Sequence, residues 1–215
     1  MSPAHGPGPT RMTTDCHVSI SLDGYLAGPD QSLEHPLGTG GQRVHTWHLP
    51  GRPPGTEADD VAAADLMRPR GAYVMGRNMY GPVRGPWESF PRGWTGWWGH
   101  EPPYQAPVFV LTHHAHESVV LGGGTTFHFV TDGFGAAYDR ALEAAGGGDV
   151  RIAGGAATLR QAFAAEVLDE ITLDVAPVLL GAGERLFDEV DDPGLVPVDV
   201  QHSPLATHVR YRVGR

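Results

Sequence analysis

The sequence holds a single cysteine, no lysine and no long apolar run, and each absence excludes a class of protein. Cys16 alone cannot form an intramolecular disulfide, and there is no Cys-x-x-Cys pair to bind zinc. The longest apolar stretches are six residues and contain a proline, whereas a transmembrane helix needs about 20 apolar residues. We therefore expect neither a disulfide scaffold nor a membrane-spanning protein.

Positive charge is also scarce, because 15 Lys+Arg residues stand against 25 Asp+Glu, for a net charge of −10. A surface of that sign repels phosphate backbones and anionic lipids, so neither nucleic acid nor a membrane is an expected partner. Hydrophobic residues make up 40% of the 215 positions, which is enough for one packed core. The composition predicts one acidic, cytoplasmic, globular domain.

Glycine and proline are abundant instead, with 30 and 19 residues that lie between the apolar runs and indicate turns and loops. Residues 1–11 carry several of them and almost nothing apolar. We expect a disordered terminus or a cloning remnant there, and one domain over residues 12–215. The polar stretch at 28–55 is long for a plain connection, which favours a binding role or a short helix at Arg43–Leu49.

Apolar periodicity predicts strands that alternate with helices over the first three-quarters of the chain. The predicted strands are Cys16–Leu22 (with Val18, Ile20 and Leu22 on one face), Ala72–Met75, Val108–Thr112, Thr126–Val130, Val150–Ala153 and Glu170–Val178. The predicted helices are Glu57–Arg68, Phe134–Ala145 after an N-cap at Asp132, and Ala156–Ala165. Two late strands, Val196–Gln201 and Thr207–Val213, are expected to be antiparallel. This order predicts a single three-layer αβα domain, an α/β fold around a mostly parallel central sheet with antiparallel C-terminal strands.

Three predicted strands are followed directly by residues suited to binding phosphate. Gly76-Arg77-Asn78 follows one strand, Thr112-His113-His114 the next, and Gly154-Gly155-Ala156-Ala157-Thr158 a third, where it also opens a helix. Since ligands of parallel sheets bind beyond the carboxyl ends of the strands, the three junctions are expected at one edge. Paired glycines before a helix suit a pyrophosphate, and Arg77 and Thr112 suit a further phosphate. Each junction alone is more often a tight turn, and the G-x-G-x-x-G fingerprint is absent.

The segments M-G-R-N-M-Y, V-F-V-L-T and V-R-I-A-G-G-A-A-T-L, in this order, resemble the reductase fold shared by dihydrofolate reductases and the C-terminal domain of bacterial riboflavin-biosynthesis reductases. The opening S-I-S-L-D-G-Y is similar to that family's first strand and loop, and D-E-I-T-L-D-V-A-P-V-L-L-G-A-G-E-R-L-F resembles the riboflavin-type branch. The resemblance spans about Cys16 to Val213. It implies a homodimeric, NADPH-dependent reductase that transfers hydride to a C=N or C=O group of a small pteridine-, pyrimidine- or flavin-related heterocycle.

The resemblance also implies a set of cofactor-binding residues. They are Gly76, Arg77, Asn78 and Met79 beside the adenosine phosphates, Leu111, Thr112 and His113 along the adenine and its 2′-phosphate, and Gly154, Gly155, Ala156, Ala157 and Thr158 under the pyrophosphate. The chain departs from the family at two of these positions, with Met79 where Thr or Ser is common and His113 where a basic residue often follows. The buried acid of true dihydrofolate reductases has no matching position, which disfavours dihydrofolate as the substrate.

Asp23, at the end of the first strand, is the best candidate for a polar group near the transferred hydride, with water as the other proton source. Its alternative interpretation is a plain Asp-Gly turn. Glu34 and Asp65 are weaker candidates, and Asp65 is expected to be solvated. The candidate substrate contacts are Gly24, Tyr25, Tyr80 and Trp87. Four of the five tryptophans lie between Trp87 and His100, where they form either a pocket wall or a dimer contact.

Two other function classes remain as alternatives. The first is a non-catalytic nucleotide- or flavin-binding protein, which the absence of an obvious proton donor favours. The second is a metal hydrolase built on His113-His114-Ala115-His116. The Asp and His that such hydrolases place at fixed spacing after this start are replaced by Glu117-Ser118, so we expect no metal. Cys16 is expected to be buried and inert.

Overall fold

The computed structural model describes residues 12–49 and 57–214, so the prediction for residues 1–11 lies outside the described residues. The strands are β1 (Thr14–Ser21), β2 (Tyr25–Ala27), β3 (Ala72–Gly76), β4 (Pro107–Leu111), β5 (Val119–Val120), β6 (Thr126–Val130), β7 (Val150–Gly154), β8 (Glu170–Ala176), β9 (Glu184–Arg185), β10 (Val196–His202) and β11 (Thr207–Arg212). The helices are α1 (Glu57–Leu66), α2 (Arg77–Tyr80), α3 (Gly133–Ala145) and α4 (Ala156–Ala164). Short 3-10 turns occupy Gly41–His45, Trp87–Ser89 and Gly122–Gly124.

Nine strands form one sheet in the order β10-β11-β8-β1-β7-β3-β4-β6-β5. The six strands from β8 to β6 are parallel to one another, whereas β11, β10 and β5 are antiparallel to their neighbours. The predicted mostly parallel sheet with antiparallel C-terminal strands is therefore confirmed. Strands β2 and β9 pair in a separate two-stranded ribbon, and neither was predicted, because two or three residues are too few to show a period.

Strand β1 is buried on both faces rather than on one. It lies in the middle of the sheet, and all eight of its residues are buried. Val18 and Ile20 belong to the main apolar core as predicted, but Leu22 lies beyond the strand end and is 67% exposed. The alternate residues His17 and Ser19 are buried too, which means that the second face of β1 is covered by polar contacts.

Helices cover both faces of the sheet, as a three-layer fold requires. Helices α3 and α4 pack on one face through the core that contains Ala137, Leu159 and Ile152. Helix α1, helix α2 and the Gly41–His45 turn lie on the other face, where Trp47 is fully buried. Cys16 is buried in the first of these cores, as predicted, and burial raises the pKa of its thiol.

Helix α3 starts and ends near the predicted positions, and Asp132 is its N-cap residue, as predicted. The Asp132 side chain makes no capping hydrogen bond, and its carboxylate instead accepts a bond of 3.0 Å from Arg140. Gly146 ends the helix at φ 56°, a left-handed conformation that glycine adopts without strain. Within residues 12–49 and 57–214, no helix has the length and apolar character needed to cross a bilayer.

Candidate functional site

The three predicted phosphate-binding junctions lie side by side along one edge of the sheet. Their strands are neighbours in the order β7-β3-β4, and Gly76 of β3 pairs with Leu111 of β4. Met75 pairs with Gly154 of β7. A Cβ atom on Gly76 would lie 2.7 Å from Oγ1 of Thr158, so the first and third junctions are in direct contact. We call this edge the carboxyl rim.

The third junction leaves room above the start of α4. Gly155 is the N-cap residue of α4, and no side chain caps the helix. A Cβ atom on Gly155 would meet no atom within 4 Å, so the backbone faces open space. The N–H groups of the first helical turn, which include those of Ala156 and Ala157, have no acceptor within the helix. Together with the helix dipole, these groups favour an anion in that space.

Arg77 carries a partly buried guanidinium group with unused hydrogen-bond donors. Its Cζ atom lies 4.0 Å from the ring centroid of Trp87 and 5.3 Å from that of Phe90. Among the described residues, its Nε and Nη2 atoms are buried and have no hydrogen-bond partner. Burial lowers the pKa of Arg77, but an arginine remains charged at neutral pH. The aromatic rings leave these donors unsatisfied, so this side chain favours an anionic ligand at the rim.

Asn78 and Met79 connect α2 to its surroundings instead of facing open space. The Nδ2 atom of Asn78 donates a bond of 3.0 Å to Oε1 of Gln31, which ties α2 to the long polar segment. The Sδ atom of Met79 lies 3.0 Å from the Cβ position of Gly154. Gly154 has φ +124°, and its peptide bond to Gly155 is cis. At position 79, where the family often has Thr or Ser, the chain thus has a methionine that packs against Gly154.

The second junction uses the hydroxyl of Thr112 for its own turn. Thr112 is buried, and its Oγ1 atom accepts a bond of 3.1 Å from the backbone N–H of His114. The indole N–H of Trp87 donates a bond of 2.7 Å to the carbonyl oxygen of His114. His113 is the exposed side chain of this turn. The hydroxyl that the sequence offered for a phosphate is therefore engaged within the chain, and His113 remains accessible.

Asp23 holds two loops together at the β1 end of the rim. Its carboxylate accepts bonds from the Ser21 hydroxyl at 2.6 Å and from the backbone N–H groups of Leu180 and Gly181 at 3.1 and 2.7 Å. The Ser21 bond, with help from the two backbone bonds, lowers the pKa of Asp23 to about 2. A carboxyl group with that pKa is ionised at neutral pH and has no proton to donate. These contacts do not support Asp23 as the proton donor that the sequence suggested.

The four candidate substrate contacts are not brought together. Gly24 and Tyr25 lie beyond β1, where the Tyr25 ring packs 5.0 Å from the Arg185 guanidinium. Trp87 lies at the β4 end of the rim, beside the His114 turn. Tyr80 is 2% exposed and donates its hydroxyl hydrogen to the Trp94 carbonyl oxygen, so it is part of an aromatic core. Tyr80 is therefore not available to a ligand in this conformation.

The Trp87–His100 segment is anchored to that aromatic core. The Trp94 indole N–H donates to the Tyr80 carbonyl oxygen at 3.0 Å, and Trp87 packs against Phe129 with ring centroids 4.8 Å apart. Trp98 is 55% exposed. Trp87, Phe90 and Trp94 thus form a packed aromatic wall, and the first two of them lie against Arg77.

Asp65 was predicted to be solvated, and its side chain is 40% exposed, but its carboxylate is also paired. Its carboxylate contacts the His17 ring at 3.1 Å and accepts a bond of 3.1 Å from Arg68. The His17 contact is the main reason that the pKa of Asp65 lies well below its ordinary value. Glu34, the other weak candidate, is exposed and accepts a bond from the Ser32 hydroxyl.

Three buried acids were missed in the sequence, namely Asp15, Asp59 and Asp174. Asp59 on α1 is 0% exposed, and its Oδ1 atom accepts a bond of 2.8 Å from the Ser203 hydroxyl. The signal was its position three residues before Ala62 and seven before Leu66, which places it on the apolar face of α1. The partners of Asp59 lie far away in the sequence, and no local pattern points to them.

The histidines after β4 do not form a metal-binding cluster. Among the described residues, no group of three or more His, Cys, Asp or Glu side chains is arranged to hold a metal ion. His116 instead packs against Trp87 with ring centroids 4.9 Å apart. The arrangement favours a role in aromatic packing for these histidines over a role in metal-dependent hydrolysis.

The mostly parallel sheet with helices on both faces matches the dihydrofolate reductase-like class of fold. Dihydrofolate reductase from Enterococcus faecalis, solved with NADP(H), shares this fold at a TM-score of 0.50 and 15% identity, with 94% of this chain and 97% of that chain covered. A pyrimidine reductase-like protein from Corynebacterium diphtheriae matches at a TM-score of 0.56 and 19% identity, over 95% and 92% of the two chains.

The family of the chain follows from its sequence. The RibD C-terminal domain model matches residues 14–208, and the chain belongs to this family. A riboflavin biosynthesis protein from Shewanella sp. PV-4 has a similar structure, with a TM-score of 0.63, 24% identity, and 95% and 100% of the two chains covered. A search of the curated proteins found no match. The family is the reductase domain of riboflavin biosynthesis, which makes the chain a member of an oxidoreductase family.

Proposed function

We propose that this protein is an NADPH-dependent reductase that transfers hydride to a C=N or C=O carbon of a small heterocycle related to pteridines, pyrimidines or flavins. The observation that carries the proposal is the partly buried guanidinium of Arg77, whose Nε and Nη2 atoms lack a hydrogen-bond partner among the described residues. It lies on a rim where three glycine- or threonine-bearing junctions meet. The family and the NADP(H) complex of the similar E. faecalis enzyme support the choice of cofactor.

The residues at the rim fit a phosphorylated dinucleotide. The open space at Gly155 and the first turn of α4 suit the pyrophosphate. Arg77 suits the further phosphate, the 2′-phosphate of the adenosine half, and the exposed His113 lies at the same end of the rim. The adenosine half would thus lie towards β4 and the nicotinamide towards β1. When bound, the cofactor supplies the hydride, and the chain supplies orientation and electrostatic stabilisation.

The proton that accompanies the hydride comes, in this proposal, from water. Asp23 is ionised, so its part is to hold the turn after β1 against the 180–181 loop. The Arg185 guanidinium reinforces this contact, since it donates to the Asp23 carbonyl oxygen at 3.3 Å. A rigid turn at this point would orient the substrate and limit the entry of water.

The cofactor proposal is tested by replacing Arg77→Ala and titrating both reduced coenzymes by calorimetry. A lost charge-assisted bond to phosphate costs about 1.5–3 kcal/mol, which is about 10- to 150-fold in Kd. We expect a loss of that size for NADPH and a much smaller loss for NADH. Arg84→Ala is the matched control, because Arg84 lies seven residues after Arg77 and its side chain is exposed. Equal losses for both coenzymes would contradict the role given to Arg77, and no binding of either would contradict the proposal.

A non-catalytic nucleotide- or flavin-binding protein is the second candidate, and the ionised state of Asp23 favours it. The two candidates differ in turnover. Steady oxidation of NADPH in the presence of a heterocyclic acceptor, followed by absorbance, is expected for the reductase. Tight coenzyme binding without any turnover across a panel of such acceptors would favour the second candidate.

We also propose that the protein is a homodimer and that β10 contributes to the interface. Strand β10 is the outer strand of the described sheet and pairs only with β11. Val196, Val198 and Val200 on this strand are 45%, 44% and 59% exposed. An exposed edge strand with apolar side chains favours pairing with a second chain.

A further inference from the structure

Five side chains on one face of the sheet form an alternating row of carboxylates and imidazoles, which we call the His–Asp ladder. It runs from Asp65 on α1 through His17 on β1, Asp174 on β8 and His208 on β11 back to Asp59 on α1. The four nitrogen–oxygen distances along the row are 3.1, 2.9, 2.7 and 3.1 Å. Asp174 is the centre, because each of its two carboxylate oxygens contacts one of the imidazoles.

The ladder is complete only at one proton count. Each of its four contacts needs one proton between nitrogen and oxygen, and a neutral imidazole has a single N–H to donate. Four protons are therefore required, as in two imidazolium and three carboxylate groups. Asp59 and Asp174 are 0% exposed, so the loss of a proton from His208 leaves an oxygen of one of these buried carboxylates facing a nitrogen lone pair. Such a contact in a buried site is costly.

Helix α1 is held on the sheet by polar contacts as well as apolar ones. In the apolar cluster that contains Trp47 and Ala206, α1 contributes the buried Ala62 and the partly buried Ala63 and Leu66. Val61 on the same helix is 49% exposed. A further attachment is polar, since the Arg151 guanidinium donates to the last carbonyl oxygens of α1 at 3.2 and 2.8 Å.

Solvent protons have a route to the ladder. A groove of about 240 Å³ lies between α1 and the outer strands β8, β11 and β10. Its lining includes both imidazoles of the ladder, His17 and His208, together with Asp65, Thr172 and Arg210. The ladder can therefore exchange protons with water while the domain remains folded.

We propose that the His–Asp ladder is a proton-dependent clamp that holds α1 on the sheet and releases it when one ladder proton is lost. Release frees the helix that leads directly into β3 and the Gly76–Arg77 junction. The clamp thus couples pH to the order of the segment that precedes the carboxyl rim. The inference does not depend on the proposed reaction, because it concerns the attachment of a helix.

The direction of the pH dependence follows from the contacts. Burial alone would lower the pKa of His17 and of His208, but hydrogen bonds to carboxylates outweigh it, and the pKa of each is raised above 6.5. Burial alone would raise the pKa of Asp174, but both imidazoles outweigh it and lower the pKa below 3.8. The imidazolium contribution to stability is full below 6.5 and is lost as pH rises through the raised values. The clamp therefore opens on the alkaline side.

Other charged groups also surround the ladder. Asp15 is bound by the guanidinium groups of Arg70 and Arg151, and Arg151 also lies 3.7 Å from Asp65. The surrounding groups, taken by element, are Asp15 on β1, Arg68 and Arg70 after α1, Arg151 on β7, Glu170 on β8, Asp199 on β10, Arg210 on β11, and His45 and His48 beside Trp47. Burial lowers the pKa of His45 to about 4, so it stays neutral throughout.

The test is hydrogen exchange by mass spectrometry on the full chain, from about pH 6 to about pH 10, with a correction for the intrinsic exchange rate. We expect α1 to lose protection about tenfold per pH unit beyond a midpoint above 6.5, as the release of one proton requires. Helix α3, on the opposite face and outside the ladder, serves as the internal reference and keeps its protection. Parallel behaviour of α1 and α3 over the whole range would overturn the proposal.

A variant provides the second arm. His208→Gln removes the imidazolium that joins Asp174 to Asp59, so α1 protection at about pH 6 is expected to fall about tenfold or more relative to α3. His128→Gln is the matched control, because His128 lies on β6, away from the ladder, and is hydrogen-bonded to Ser118. Unchanged α1 protection in His208→Gln would overturn the proposal. If that variant does not fold, the titration of the natural chain still decides the question.

Discussion

At the scale of single residues, the state of Asp23 separates two chemical roles that its position alone leaves open. A general acid must carry a proton at the working pH, whereas an anchoring carboxylate must be ionised. The hydroxyl of Ser21 and the N–H groups of Leu180 and Gly181 stabilise the ionised form. The contacts therefore favour the anchoring role, and the two roles predict different kinetics.

Replacing Asp23→Asn tests the anchoring role. Loss of a general acid lowers kcat by about 10²–10⁴-fold, whereas loss of an anchor acts mainly through KM. We expect kcat with NADPH and a turned-over acceptor to fall less than about tenfold, and KM for the acceptor to rise. Asp188→Asn, an exposed neighbour of Arg185, is the control. A kcat loss in the range of a missing acid, with KM unchanged, would restore Asp23 as the proton donor.

At the scale of elements, the junction between β7 and α4 contains two adjacent glycines with different requirements. Gly154 has φ +124°, where a side chain is strained, and its Cβ position lies 3.0 Å from Met79. Gly155 has φ −76° and open space around its Cβ position. Glycine is therefore needed for the fold at position 154. At position 155 it is needed only to leave room for a ligand.

Replacing Gly155→Ala should separate binding from stability. The added methyl group enters the space proposed for the pyrophosphate, so we expect NADPH affinity to fall about tenfold or more while the thermal midpoint stays unchanged. Gly154→Ala is the paired variant, and it should lower the thermal midpoint. Calorimetric titration and thermal unfolding measure the two effects. Unchanged NADPH affinity in Gly155→Ala would argue against a ligand above α4.

At the scale of the whole molecule, the sequence predicted the longer elements and missed what depends on distant partners. The apolar runs of strands such as β4 and β6 are visible in the sequence, and Gly146 indicates where α3 ends. The rim was predictable because the carboxyl ends of parallel strands must share an edge. The His17–Asp174 contact joins residues 157 positions apart, and no local pattern encodes such a pairing. For the same reason the partners of Asp59, Ser203 and His208, could not be predicted.

The assembly of the molecule is predicted from its two sheet edges. Strand β10 exposes three valines, whereas β5 at the other edge has two residues and exposes Val120 at 76%. We expect Val198→Lys with Val200→Lys to convert a dimer into a monomer, because lysine on an edge strand opposes pairing. Val120→Lys should leave the dimer intact. Light scattering after size-exclusion chromatography measures the mass. A monomeric natural chain would contradict the dimer itself, and a dimeric double variant would place the interface elsewhere than β10.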